Sequence, residues 1–93
     1  MSKLYVNSDF WVNLTWDDAT VAGKIRYQVP GSSLIQEKTG VAVDESKGEY
    51  KCKFPRTENL VPGPWKVWLR VTFADGDIST GEPVEFQAYE EGK

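Results

Sequence analysis

A catalytic site in a small protein needs a nucleophile, an acid–base pair or a metal, and this chain holds few residues of those types. Its 93 residues include no histidine and one cysteine, Cys52. Serine–histidine and cysteine–histidine catalysis are excluded on that ground. One thiol without an imidazole cannot assemble a zinc site of the usual ligands, nor close a disulfide within the chain. Two acidic clusters remain, Asp17-Asp18 and Asp75-Gly76-Asp77. A helix–loop–helix calcium loop starting at Asp75 would need a bidentate glutamate at its twelfth position, which is Phe86. Both clusters read better as turns, Asp75 and Asp77 around a glycine free to take positive φ. Asn13-Leu14-Thr15 matches the N-glycosylation pattern. A secretory leader is not expected, so the match is expected to be fortuitous. The expectation is a protein that is not an enzyme and needs no cofactor and no metal.

Contact chemistry is better represented. Trp68 lies between Lys66 and Arg70, each two residues away, and residues i and i+2 share one face of a strand. A cation could then lie over the indole. Trp11 is a second tryptophan on the polar phase of its segment. Trp68, Lys66, Arg70 and Trp11 are the expected contact residues. Three roles are open to the tryptophans: a platform for a sugar ring, an anchor in a protein interface, or local packing within the monomer. Lys24 and Arg26, and Lys51 and Lys53, also point outward in pairs, so neighbouring strands would form one basic face on a chain of net charge −3. That negative total gives no surplus of cations for displacing counterions, and a nucleic-acid partner is not expected.

These side chains must be positioned by strands. Ile25, Tyr27 and Val29 alternate with Lys24, Arg26 and Gln28; Tyr50, Cys52 and Phe54 alternate with Glu49, Lys51 and Lys53. Phe10, Val12 and Leu14 show the same period, as does the long run Trp65, Val67, Leu69, Val71, Phe73. Alternation of this kind marks half-buried strands. Asp75-Gly76 is a hairpin signal before a closing strand with Val84, Phe86 and Ala88. Leu4 to Val6 and Leu34 to Val43 are weaker candidates. Pro83 before the last strand, and lysines on others, suggest guarded sheet edges. No window has the period of a useful amphipathic helix, and no uncharged run approaches the length of a membrane span. The pattern predicts one domain over 1–93, an all-β antiparallel sandwich of about seven strands with a frayed tail over 90–93. Gly48-Glu49-Tyr50-Lys51-Cys52 can be compared with the tyrosine corner that precedes a disulfide cysteine, but a partner cysteine is missing. Cys52 is expected to be a small buried group in an ordinary strand.

From Leu4 to Tyr89 the order of these signals resembles the small immunoglobulin-like domains of tailed bacteriophages, the class that includes the N-terminal domain of baseplate upper proteins. The resemblance rests on Phe10-Trp11-Val12-Asn13-Leu14-Thr15, the strand from Lys24 into Pro30-Gly31, and Gly48-Glu49-Tyr50. It continues through Pro62-Gly63-Pro64-Trp65, Asp75-Gly76 and Gly81-Glu82-Pro83-Val84-Glu85-Phe86. It implies an immunoglobulin-like β-sandwich acting as a virion structural or host-attachment protein of a baseplate, tail, head–tail junction or capsid surface. The implied partners are other virion proteins or a second copy of itself, and the implied location is the virion, after synthesis in the bacterial cytoplasm. No membrane partner is implied. A module that binds host-surface glycans through its tryptophans is the alternative. A third is an adaptor that offers an exposed strand edge.

Overall fold

The computed structural model describes residues 3–90. Nine strands follow in order: β1 (Leu4–Tyr5), β2 (Phe10–Thr15), β3 (Ala22–Gln28), β4 (Gln36–Thr39), β5 (Val41–Asp44), β6 (Glu49–Phe54), β7 (Gly63–Thr72), β8 (Ile78–Thr80) and β9 (Val84–Tyr89). No helix occurs among the described residues. One sheet has the order β1-β9-β7-β3-β4, with β8 continuing the β9 side of β7; the other has the order β2-β6-β5. The two stack as a sandwich. Strands β7 and β3 face β2, β6 and β5 across the interior, the layout of a two-sheet β-sandwich.

The buried positions follow the alternation. Ile25 and Tyr27, Tyr50, Cys52 and Phe54, and Trp65, Val67, Leu69 and Val71 all face the interior. An aromatic cluster joins the sheets at one end. Phe10 stacks on Phe54 with centroids 4.9 Å apart, and Tyr27 meets the Phe54 face edge-on at 4.8 Å. Trp65 is fully buried beside Phe86, and its indole N–H donates to Val61 O at 3.0 Å. Each ring pair adds about 0.5–1.5 kcal/mol beyond area burial, so this end is the best-fastened part of the core. Across the middle, Gly23 lies so close under the Tyr50 ring that no side chain fits there. The Tyr50 hydroxyl shares a 2.7 Å hydrogen bond with the buried Thr20 hydroxyl. Tyr50 lies on β6, between β2 and β5, and Cys52 is 4 % exposed in the same strand, as expected for an ordinary core residue.

The strand count and directions differ from the expectation in three places. Leu34 to Val43 is not one strand. It is cut at Gly40, where β4 leaves the first sheet and β5 joins the second. A Cβ at Gly40 would sit 2.8 Å from Gly23 O, and its own N–H donates to that same oxygen at 2.9 Å, so only glycine permits the crossing. The Asp75-Gly76 hairpin forms, with Gly76 at φ +92°, but it first returns as β8. The pairing with β7 continues through Gly81 N–H to Leu69 O, then breaks at Glu82-Pro83 before β9 resumes it. Finally, β1 runs parallel to β9, Leu4 opposite Ala88, so the sandwich is not wholly antiparallel. Of the expected frayed tail, residues 91–93 lie outside the described residues.

Candidate functional site

The four expected contact residues do not share a face. Trp68, Lys66 and Arg70 lie on the outer side of the six-strand sheet, while Trp11 lies on the outer side of the other. Trp68 is also not exposed: 8 % of it reaches solvent. Alternation assigned its face correctly but not its cover. It sits on the central strand, Arg26 directly opposite and Lys66 and Arg70 two residues away. The aliphatic stems of such side chains lie over neighbouring apolar surface while their charged heads stay wet.

The cationic rows of β3 and β7 are adjacent, Lys24 opposite Arg70 and Gln28 opposite Lys66. That part of the expected basic face exists. It is offset at both margins. Glu37 on β4 accepts from Arg26 Nε at 3.0 Å and meets Lys24 at 3.3 Å, and Glu85 on β9 stands opposite Lys66. The hydrogen bond from Arg26, followed by the ammonium of Lys24, holds the Glu37 carboxyl below its ordinary value. Lys51 and Lys53 belong to β6 in the other sheet and do not extend this face. The acidic clusters are turns: Asp77 N–H donates to Asp75 Oδ1, Ala19 N–H donates to Asp18 Oδ1, and Asp17 takes φ +75°. No group of three or more Cys, Asp or Glu among the described residues could share a metal ion. Cys52 is inert by position, its thiol pushed up to about 11, mainly by burial.

A concave feature lies along β2. A cleft of about 580 Å³ runs between β2 and β9, floored by Val12, Leu14, Val67 and Phe86, with Val84, Gln87 and Tyr89 on its far wall. Its origin is topological. The inner sheet face under β2 is that of β7, and β9 and β1 continue beyond β7 on the same side. The six-strand sheet therefore projects past β2 as a shelf, covered at one end where Phe10 packs on Phe86. Val84, expected in the core, is 51 % exposed on this shelf for the same reason.

The edge of β2 above the shelf is open. β2 pairs with β6 alone, in a constant register from Phe10–Phe54 to Thr15–Glu49. Trp16 N–H continues that ladder by donating to Gly48 O at 2.9 Å. Hydrogen-bonded pairs alternate along an antiparallel ladder, so Phe10, Val12, Leu14 and Trp16 bond to β6. The N–H and C=O groups of Trp11, Asn13 and Thr15 point the other way, with no partner among the described residues. β2 has no proline and no bulge. The expectation of guarded edges fails at β2 but not at β9: β1 pairs with β9 only at Ala88 and Tyr89, so Pro83 stands at the head of the open stretch Val84 to Gln87. Sequence reading missed this site because strand order, which creates it, is fixed by long-range pairing; the absence of proline from residues 10 to 15 was its one visible sign.

Charge along this edge is polarised. Lys3 is the one charged residue lining the cleft. Lys51 places its ammonium 5.0 Å from the Trp11 ring centroid, and Lys53 stands opposite Trp11. This is a cation over an indole, but on Trp11 and from the partner strand, not on Trp68. At the far end Glu49 stands opposite Thr15, and Asp17 and Asp18 follow against the single cation Lys47, while at the lysine end the one carboxylate is Asp9, which accepts from Arg56 N–H.

No protein-family model and no curated protein matches the sequence. Among solved structures, the chain superposes with a TM-score of 0.62 on part of a cycloalternan-degrading enzyme from Trueperella pyogenes, in complex with a covalent intermediate. The two are 10 % identical over that match, which covers 88 % of this chain and 14 % of the enzyme chain. The likeness is one of fold.

Proposed function

We propose that the domain is a non-enzymatic contact module whose working surface is the cleft between β2 and β9. The observation that carries this reading is an apolar cleft lying directly beneath a strand edge with three residues' worth of unpaired backbone groups. Such groups on an apolar bed favour a protein partner, since backbone pairing gives affinity and the bed gives selectivity. The resemblance to phage immunoglobulin-like domains supplies the setting: a virion structural or host-attachment protein that holds other virion proteins or a second copy of itself. Lacking histidine, and with its one thiol buried, the chain has no imidazole-assisted or thiol nucleophile.

A glycan-binding role draws on Trp11 alone, because Trp68 is covered and faces the other way. Trp11 is 58 % exposed, but Lys51 already occupies one face of its ring, which leaves little of a sugar platform. The test is co-expression with the proteins encoded beside it in its genome, a terminase, portal or tail-fibre gene being the expected neighbour, followed by co-purification. A complex lost on Val84→Asp, with the variant still folded, supports the reading. A complex that survives Val84→Asp and is lost on the double change Lys66→Glu and Arg70→Glu would move the contact to the opposite sheet. No complex with any neighbour would refute it.

A further inference from the structure

We propose that the cleft accepts one extended peptide strand, antiparallel to β2, apolar at alternate positions and acidic at its C-terminal end. This rests on the contact reading above and names the chemistry of the partner. The backbone sets the mode. Trp11, Asn13 and Thr15 offer N–H and C=O groups along one line, and an antiparallel strand is the arrangement that pairs with all of them in turn. At about 3.4 Å per residue, the five positions from Trp11 to Thr15 span about 17 Å, which calls for a segment of about five to seven residues.

The shelf sets the side chains. Residues of the added strand that face inward would meet Val12, Leu14, Val84 and Phe86, so every second residue must be apolar. Those facing outward continue the wet surface that carries Trp11, Asn13 and Thr15. The charges set the polarity. An antiparallel strand brings its C-terminal end to Trp11, where Lys51, Lys53 and, in the cleft, Lys3 outnumber Asp9, and its N-terminal end to Glu49, Asp17 and Asp18, which outnumber Lys47. A carboxylate-bearing C-terminal end is attracted at one end of the edge, and a cation at that end is repelled. A second copy of β2 fits less well than a lone strand. It would bring its own β9 and β1, projecting past β2, into the space the first copy's shelf already fills.

The probe is a blocked heptapeptide alternating threonine and valine and ending in two aspartates, with a second ending in two lysines and a third with its valines replaced by serines. Binding is read by amide NMR shifts and by hydrogen exchange at Trp11, Asn13 and Thr15. Saturable binding of the aspartate peptide below about 1 mM is expected, with those three amides slowed at least about tenfold. The serine peptide should not bind, and the lysine peptide should bind several-fold more weakly. Asn13→Pro removes an edge N–H that makes no bond to β6, so the variant should fold and lose at least about tenfold in affinity. If Asn13→Pro does not fold, the double change Lys51→Glu and Lys53→Glu serves instead, and should reverse the preference between aspartate and lysine peptides. No binding at 1 mM, equal binding by the serine peptide, or amides of Trp11 and Asn13 already protected in the free domain would overturn the proposal. A neighbour-encoded partner lost on Val84→Asp, without peptide binding, would sink this inference and leave the contact reading standing; the converse pair of results would do the opposite.

Discussion

Gly23→Ala is the sharpest test of how the two sheets are held. An alanine Cβ at this site would stand 2.5 to 2.7 Å from three carbons of the Tyr50 ring, where carbon atoms prefer about 3.5–4.0 Å. The ring would have to retreat by about 1 Å. It is 2 % exposed and has no free space to enter, and its hydroxyl is tied to Thr20, itself 5 % exposed. Overpacking of a tight core costs about 1–3 kcal/mol. Drawing the hydroxyl off Thr20 leaves a buried polar group unpaired, at about 1–3 kcal/mol more. Alanine returns about 0.5–1 kcal/mol through its smaller loss of chain entropy. The net loss should be about 3 kcal/mol, or about 12–24 °C in Tm for a domain of this size. Urea unfolding followed by tryptophan fluorescence would measure it. In a Tyr50→Ala background the clashing Cγ, Cδ2 and Cε2 are gone, and the same change should cost close to nothing. A loss below about 1 kcal/mol in the parent, or an equal loss in both backgrounds, would refute the steric account.

Trp68→Ala should lower stability by about 2 kcal/mol, because the indole is covered although it faces outward; an unchanged urea midpoint would mean that the flanking stems do not pack on it. Cys52 should resist thiol reagents in the native state at pH 8 and react only as fast as the protein opens, which a timed thiol assay would check. Burial raises the Cys52 thiol from 9.0 to about 11, so the folded state keeps a proton that the unfolded chain releases. Stability should hold up to pH 9 and decline between pH 9 and 11, with Cys52→Ala flattening the first part of that decline; Tyr27, also raised by burial, adds to it above pH 10. Glu37 has the opposite sign. Its lowered carboxyl contributes stability that is present above its ordinary value of 4.5 and lost as pH falls below it. Its side chain is about one-third exposed, so Glu37→Gln should remove no more than about 1 kcal/mol from the acid limb of a pH–stability curve.

The sandwich was legible because a period of two in residues such as Tyr50, Cys52 and Phe54 leaves one consistent way to bury them. The same rule misjudged Trp68. Period tells which face a side chain takes, whereas exposure depends on what the adjacent strands bring alongside, here Arg26. Gly40 was visible as a glycine but not as a change of sheet, since that role comes from the approach of Gly23 O, distant in sequence. The contact residues were misplaced for a related reason. Whether the rows of β3, β6 and β7 lie together, and whether β2 has a free side, depends on strand order, which no local pattern encodes.

The Gly40 crossover gives the molecule a spine. On that side a single peptide link binds the two layers together, β4 in one and β5 in the other. On the opposite side the layers are pinned where Phe10 meets Trp65 and Phe86, but from Val12 to Thr15 no chain link joins them, so that stretch is the margin left to open, like the fore-edge of a book. A guest held at that margin would act as a clasp, and its grip would register as slower unfolding of the entire domain.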